Sequence, residues 1–201
     1  SIVQKNNLDE IVFRLDAEYY HPDHIELQKK LEEMDSNSLC EGGVELDCSA
    51  FYPSIVPYYN FERKGIPFLR VNEIQDGLLF LNDDTAFLPQ NILDENKTTI
   101  AICYPEDIII AKGGNSLAKV ALLTDDYKSY SVSRDVIAFR TDSLSTFNKF
   151  YLWIFLNSEI GKKMLLRTAS QTGQPHLTLE AINQLRVPLI SQNFQINFEE
   201  I

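Results

Sequence analysis

Pro105-Glu106-Asp107-Ile108-Ile109-Ile110-Ala111-Lys112-Gly113-Gly114-Asn115-Ser116-Leu117-Ala118-Lys119-Val120-Ala121-Leu122-Leu123 divides into two apolar runs, Ile108 to Ala111 and Leu117 to Leu123, on either side of a turn rich in Gly, Asn and Ser. Short apolar runs bounded by such residues predict a strand, a tight turn and a second strand, packed as a buried hairpin. Gly113 and Gly114 can take φ > 0 and let backbone N–H groups approach a ligand, while Lys112 and Lys119 add positive charge on either side. Two readings stay open: an ordinary turn, and a turn that meets phosphate or nucleic acid. The turn has neither the Gly-Lys-Ser/Thr ending of a P-loop nor a G-x-G-x-x-G spacing, so the glycines alone favour the ordinary turn.

Around this hairpin the chain supplies 201 residues, 44% hydrophobic and 11% aromatic, enough for one packed domain. No apolar run approaches the ~18 residues of a membrane span and no basic, apolar leader opens the chain, so a soluble, cytoplasmic protein is expected. It starts at Ser1 with no methionine, the mark of a fragment or of an added leading residue. Cys40, Cys48 and Cys103 are an odd set without a C-x-x-C pair, which argues for reduced thiols over disulfides or zinc.

The net charge of −11 stands against DNA binding, which normally needs a basic surface. The acid is unevenly placed. Residues 1–100 carry 8 basic and 19 acidic groups, 101–143 carry 5 and 6, and 144–190 carry 5 and 2. A nucleic-acid face is therefore expected from residues 101–190, joined by the isolated Arg63, Lys64 and Arg70.

His21-Pro22-Asp23 opens a predicted amphipathic helix through Met34, with Leu27, Leu31 and Met34 at i, i+4, i+7. Ser36 to Lys64 lacks a period and reads as a long structured loop; its aromatics beside Arg63 and Lys64 form a local core or stack on bases. Strands are predicted at Ile66–Val71, Leu78–Leu81, Thr99–Cys103 and Val136–Arg140 besides the two of the hairpin, with Asp76-Gly77 as a turn and a short helix near Gln90–Glu95. No βαβ rhythm appears. Phe147, Phe150, Tyr151, Ile154 and Phe155 make a wide apolar helical face. A second helix, Glu159 to Arg167, is expected to turn Ile160, Met164 and Leu165 inward and Lys162, Lys163 and Arg167 outward. The polar loop from Thr168 to His176 is either solvated or reads bases, since Gln bonds bidentately to adenine and Ser or Thr holds phosphates. Thr178 caps a short helix through Leu185, and Arg186 to Ile190 is extended.

Five stretches, taken in order, resemble the target-recognition domains of type I restriction-modification specificity subunits and the recognition module of related fused restriction enzymes. Arg14 to Pro22 resembles the opening R-(F/L)-D-A-E-Y-Y-x-P segment, and Gly65 to Ile74 the IP(F/W)(L/I)R strand. The Pro105–Leu123 hairpin, Tyr151 to Ser158 with Gly161-Lys162, and Leu177 to Pro188 follow in the family's order. Asn115 departs from the Gly or Thr often found there.

The resemblance implies an α+β fold: an irregular small β-sheet recognition domain over residues 37–190, with C-terminal helices, a flanking amphipathic helix in an opening segment 1–36, and a tail 191–201. It implies double-stranded DNA as ligand and a DNA adenine methyltransferase as partner, with a restriction or translocase subunit and self-association as further partners. Any AdoMet belongs to the methyltransferase, and this chain is expected to hold no cofactor and no metal. Phosphate or base contacts are expected from Arg63, Lys64, Arg70, Lys112, Asn115, Ser116, Arg134, Gln171, Thr172, Gln174 and His176. Of these, Lys112 is expected to serve all sequences and Gln174 to set preference. The competing expectation is an assembly module whose acidic first half docks a basic partner without DNA affinity.

No catalytic set is legible. Glu106-Asp107 with Lys112 has the outline of a metal-dependent nuclease, yet the second acid that chemistry needs falls at Ile110. His21, His24 and His176 suggest no Ser/His/Asp or Cys/His arrangement.

Overall fold

Alternation along four residues, Ile108 to Ala111, feeds two of the apolar cores of this protein. Side chains of a strand point to opposite faces in turn. In the computed structural model Ile108 and Ile110 enter one apolar cluster, and Ile109 and Ala111 enter another. All four are fully buried, which is why the run is apolar at every position instead of alternating with polar residues. At ~1.5–3 kcal/mol for each large apolar side chain removed from water, the three isoleucines make this strand a main stabilising element.

The structure describes residues 19–50, 53–75, 77–169, 175–196 and 198. Their elements run α1 (Pro22–Glu33), β1 (Ser36–Ser38), β2 (Glu45–Cys48), β3 (Ile66–Leu69), β4 (Ile74–Gln75), β5 (Leu78–Leu79), β6 (Ala86–Leu88), α2 (Gln90–Glu95) and β7 (Ile102–Cys103). There follow β8 (Ile108–Ala111), β9 (Val120–Leu122), β10 (Tyr130–Val132), β11 (Val136–Arg140), α3 (Lys149–Asn157), α4 (Glu159–Thr168), α5 (Leu179–Asn183), β12 (Arg186–Pro188) and α6 (Gln192–Ile196). The class is α+β, with several small sheets. One sheet has the order β2-β11-β8-β9 and a second the order β6-β3-β10-β7, and two-stranded ladders join β1 to β12 and β4 to β5.

The first sheet is covered by helices on one face. Tyr151, Leu152, Phe155, Leu156, Met164 and Leu165 of α3 and α4 pack on Ile108, Ile110, Ile137 and Phe139. Its other face meets Leu69, Tyr130 and Val132 of the second sheet. A third cluster, with Ile55, Phe68, Leu88, Ile92 and Leu93, backs the second sheet under α2. The β9 edge is closed by the β4–β5 hairpin: Gly77 N–H donates to the Val120 carbonyl at 2.9 Å, and Trp153 Nε1–H donates to the Gly77 carbonyl at 2.9 Å.

Several expectations need correction. The second strand of the hairpin covers only Val120–Leu122, because Gly114–Ser116 forms a 3-10 turn and Ala118 sits at φ 63, which breaks the extended run. The supposed loop from Ser36 to Lys64 contains β1 and β2, and β6, β10 and α6 were also not anticipated. Met34 is half exposed as the C-cap of α1. Ile160 faces solvent. Phe150 and Ile154 are only half-buried, and Leu152 and Leu156 replace them in the core. Arg167 points inward: its Nε donates to the Tyr19 carbonyl at 3.0 Å, its Nη1 bonds Gln28, and its guanidinium lies 4.3 Å from the Tyr19 ring centroid. A long basic side chain at the end of α4 thus fastens α1 by cation–π and hydrogen-bond contacts.

Burial raises the Asp107 carboxyl above its ordinary value, a rise opposed by the Tyr104 and Thr141 N–H donors and by Arg140. Those partners lie at 2.9, 3.0 and 3.6 Å. A raised folded-state value means that the folded chain holds this proton more tightly than the unfolded one. The group's contribution therefore favours folding below the unfolded value, near 3.8, and is lost as pH rises through the folded one. In urea titrations at a series of pH values, the stability of the native chain relative to Asp107→Asn is expected to fall as pH climbs from ~4 towards 7. A flat or rising difference would contradict this.

Candidate nucleic-acid interface

Strand pairing brings three distant segments to one place. β3 and β10 are parallel, with Ser131 opposite Phe68 and Val132 opposite Leu69, so both run out on the same side. β11 is antiparallel to β8, with Val136 opposite Ala111. The turn before β11 therefore lies beside the residue that follows β8, and Lys112 N–H donates to the Asp135 carbonyl at 2.8 Å. A third segment closes on the same backbone: Leu177 N–H donates to the Lys112 carbonyl at 2.8 Å, and Gly113 and His176 form an antiparallel bridge. Both backbone groups of Lys112 are thereby held, one from each neighbouring segment.

Between these segments opens a cleft of about 730 Å³. Lys112, Gly113, Gly114, Arg134, Asp135 and His176 line it, with Ser49, Ala50, Val71 and Pro175 completing its walls. Gly114 takes φ 68, the left-handed conformation that favours glycine, whereas Gly113 is extended at φ −168. A Cβ at Gly113 would lie 3.4 Å from the Pro175 carbonyl oxygen, an ordinary contact, so neither space nor backbone demands glycine there. Arg134 Nε stands 3.8 Å from Asp135 Oδ1, with both side chains more than half exposed. An exposed pair at that distance contributes ~0–1 kcal/mol.

Of the residues singled out in the sequence, Lys112, Arg134 and His176 meet in this cleft. Asn115 and Ser116 lie on the 3-10 turn whose first residue, Gly114, lines it; Asn115 is exposed and Ser116 half-buried. Arg63 and Lys64 do not join them. They precede β3 while Val71 follows it, so four residues of strand, roughly 13 Å, separate them from the cleft wall. There Arg63 stands 3.8 Å from Asp83 and Lys64 2.6 Å from Glu62.

Arg70 is committed elsewhere. Its Nη2 donates to Glu73 Oε1 at 3.0 Å and to the Asp84 carbonyl at 2.6 Å, and Glu73 Oε2 accepts the Arg70 N–H at 2.8 Å. The Glu73 side chain is 1% exposed, and Thr85 Oγ1 lies 3.3 Å from Glu73 Oε1. Arg70 is thus the counter-ion of a buried carboxylate. Gln171, Thr172 and Gln174 lie outside the described residues. Sequence reading missed Asp135, because a search for cations passes over an acid; its only signal was adjacency to Arg134 immediately before the Val136 strand.

Ile110, where a metal nuclease needs its second acid, is fully buried in the helix-facing core. Among the described residues no group of three or more His, Cys, Asp or Glu is placed to hold a metal ion, and no helix is long and apolar enough to cross a membrane.

No protein-family model matches the sequence, and no curated protein matches it. Solved structures of restriction-modification proteins do share the fold. Among them is a structure of a type I R-M system solved for its assembly and conformational transition, at 15% identity and TM-score 0.58 over 89% of this chain and 43% of that one. The HsdS subunit from Thermoanaerobacter tengcongensis matches at 18% identity and TM-score 0.55 over 87% of this chain and 40% of that one. The type IIG restriction endonuclease BpuSI matches at 13% identity and TM-score 0.64 over 91% of this chain and 28% of its own. The chain thus spans about two fifths of the type I chains it matches.

Proposed function

We propose that this chain is the sequence-specific DNA recognition module of a restriction-modification system. The observation that carries the reading is the convergence of Lys112, Arg134 and His176 from three separate segments on one open cleft, in a fold shared with type I S subunits. Cations on held backbone position a phosphate backbone, and neighbouring polar groups read base edges. The module is non-catalytic and works in the cytoplasm. Residues 37–190 read the DNA, residues 1–36 and 191–201 join it to the rest of the assembly, and a partner adenine methyltransferase supplies AdoMet chemistry on a flipped base. A restriction or translocase subunit completes the partners. Much of the nonspecific attraction comes from these partners, which is how a chain of net charge −11 can serve on DNA.

The test is selection from a randomised duplex pool, with and without the methyltransferase subunit, followed by affinity against salt. Recovery of a short motif, with log affinity falling linearly against log salt, is the expected result. Nothing above background with the partner present would favour an assembly module docked through the acidic first half. Lys112→Ala is expected to weaken binding to every sequence on the order of tenfold and to reduce the salt slope by about one, leaving the recovered motif unchanged. A changed motif would make Lys112 a reader of bases instead.

A further inference from the structure

Asp135 is the anomaly of the cleft: an acid beside Lys112, Arg134 and His176. A carboxylate repels phosphate and accepts hydrogen bonds only, so against DNA its favourable partner is an exocyclic amine on a base edge. Arg134, the adjacent residue, has the complementary chemistry, a fork of donors that fits guanine O6 and N7. In the major groove a G·C pair presents that set together, the two guanine acceptors beside the cytosine N4 amine. Arg134 Nε stands 3.8 Å from Asp135 Oδ1, and both side chains are more than half exposed. They stand on a turn fixed at three points: Ser133 N–H donates to the Leu69 carbonyl at 2.8 Å, Val136 N–H to the Ser133 carbonyl at 3.1 Å, and Lys112 N–H to the Asp135 carbonyl at 2.8 Å. A rigid turn is the support that base reading requires.

We infer that Arg134 and Asp135 together read one G·C base pair, Arg134 at guanine and Asp135 at the cytosine amine. The inference rests on the DNA-recognition reading and names the base pair that this cleft selects.

The experiment repeats the duplex selection with the full chain and its methyltransferase partner, using the native protein, Arg134→Ala and Asp135→Asn, each first shown to keep the native thermal melt. The native protein is expected to return a motif with an invariant G·C position. Arg134→Ala relaxes that position by roughly 5- to 140-fold, the range of one good base contact, while the other positions stay fixed. Asp135→Asn, nearly the same shape, admits adenine there, because an amide can both donate to N7 and accept from N6. A native motif whose preferences survive both substitutions would overturn the inference and leave DNA recognition standing. No motif from the native protein would overturn the recognition reading itself.

Discussion

Glu73→Ala is expected to lower the unfolding free energy by about 3 kcal/mol, seen as a fall in the urea midpoint at pH 7. Removing one partner of a buried ion pair typically costs ~3–5 kcal/mol, because the other charge is left unanswered. Glu73 holds the Arg70 N–H, the Arg70 guanidinium and the Thr85 hydroxyl on one carboxylate. The lower end of the range applies because Arg70 remains 33% exposed and can turn partly to water. Glu73→Gln keeps the shape and loses the charge, so a smaller loss of ~1–2 kcal/mol is expected. If Ala and Gln cost the same, packing and not charge is what Glu73 contributes. Arg70→Ala should cost at least as much as Glu73→Ala, since it leaves a carboxylate that is 1% exposed without its counter-ion.

Gly161→Ala is expected to cost about 3 kcal/mol, the upper end for overpacking, and to lower the thermal midpoint accordingly. Ser158 caps α4, its Oγ accepting the Gly161 N–H at 3.1 Å and donating to the Phe155 carbonyl at 2.6 Å. That tight corner brings the end of α3 against the first turn of α4. A Cβ on residue 161 would lie 2.0 Å from the Phe155 carbonyl oxygen and 2.9 Å from the Leu156 Cα, and backbone cannot move aside as a flexible side chain would. Ala is otherwise the better helix former by ~1 kcal/mol, so a stabilised variant would show that the corner yields. The Ser-x-x-Gly pattern of Ser158 to Gly161 is thereby accounted for by sterics.

What the sequence disclosed and what it hid divide along one physical line. Strand Val136–Arg140 and helix Gln90–Glu95 were legible to the residue, because their patterns are local. Ser36-Asn37-Ser38 has no apolar residue, and it becomes a strand only because Arg186–Pro188 lies beside it. Arg167 was misread because its period alone suggests an outward face, while its partner Tyr19 is far away in the chain. The same limit applies to the cleft. Lys112, Arg134 and His176 were each legible as cationic or polar residues, but their meeting depends on the β3–β10 pairing and on the two bonds at Lys112. Arg70 reads as a surface cation until Glu73 is found buried beneath it.

The ladder of β1 with β12 sets Ser36 opposite Pro188 and Ser38 opposite Arg186, so the chain arrives and departs on neighbouring strands, roughly 4.8 Å apart. The residues between those strands thus begin and end side by side, and Arg167 ties them as well to Tyr19 and Gln28, ahead of the ladder. Ends that lie so close are the geometry at which insertion and permutation are tolerated in general, whereas the Arg167 contacts make α1 part of the same packed body.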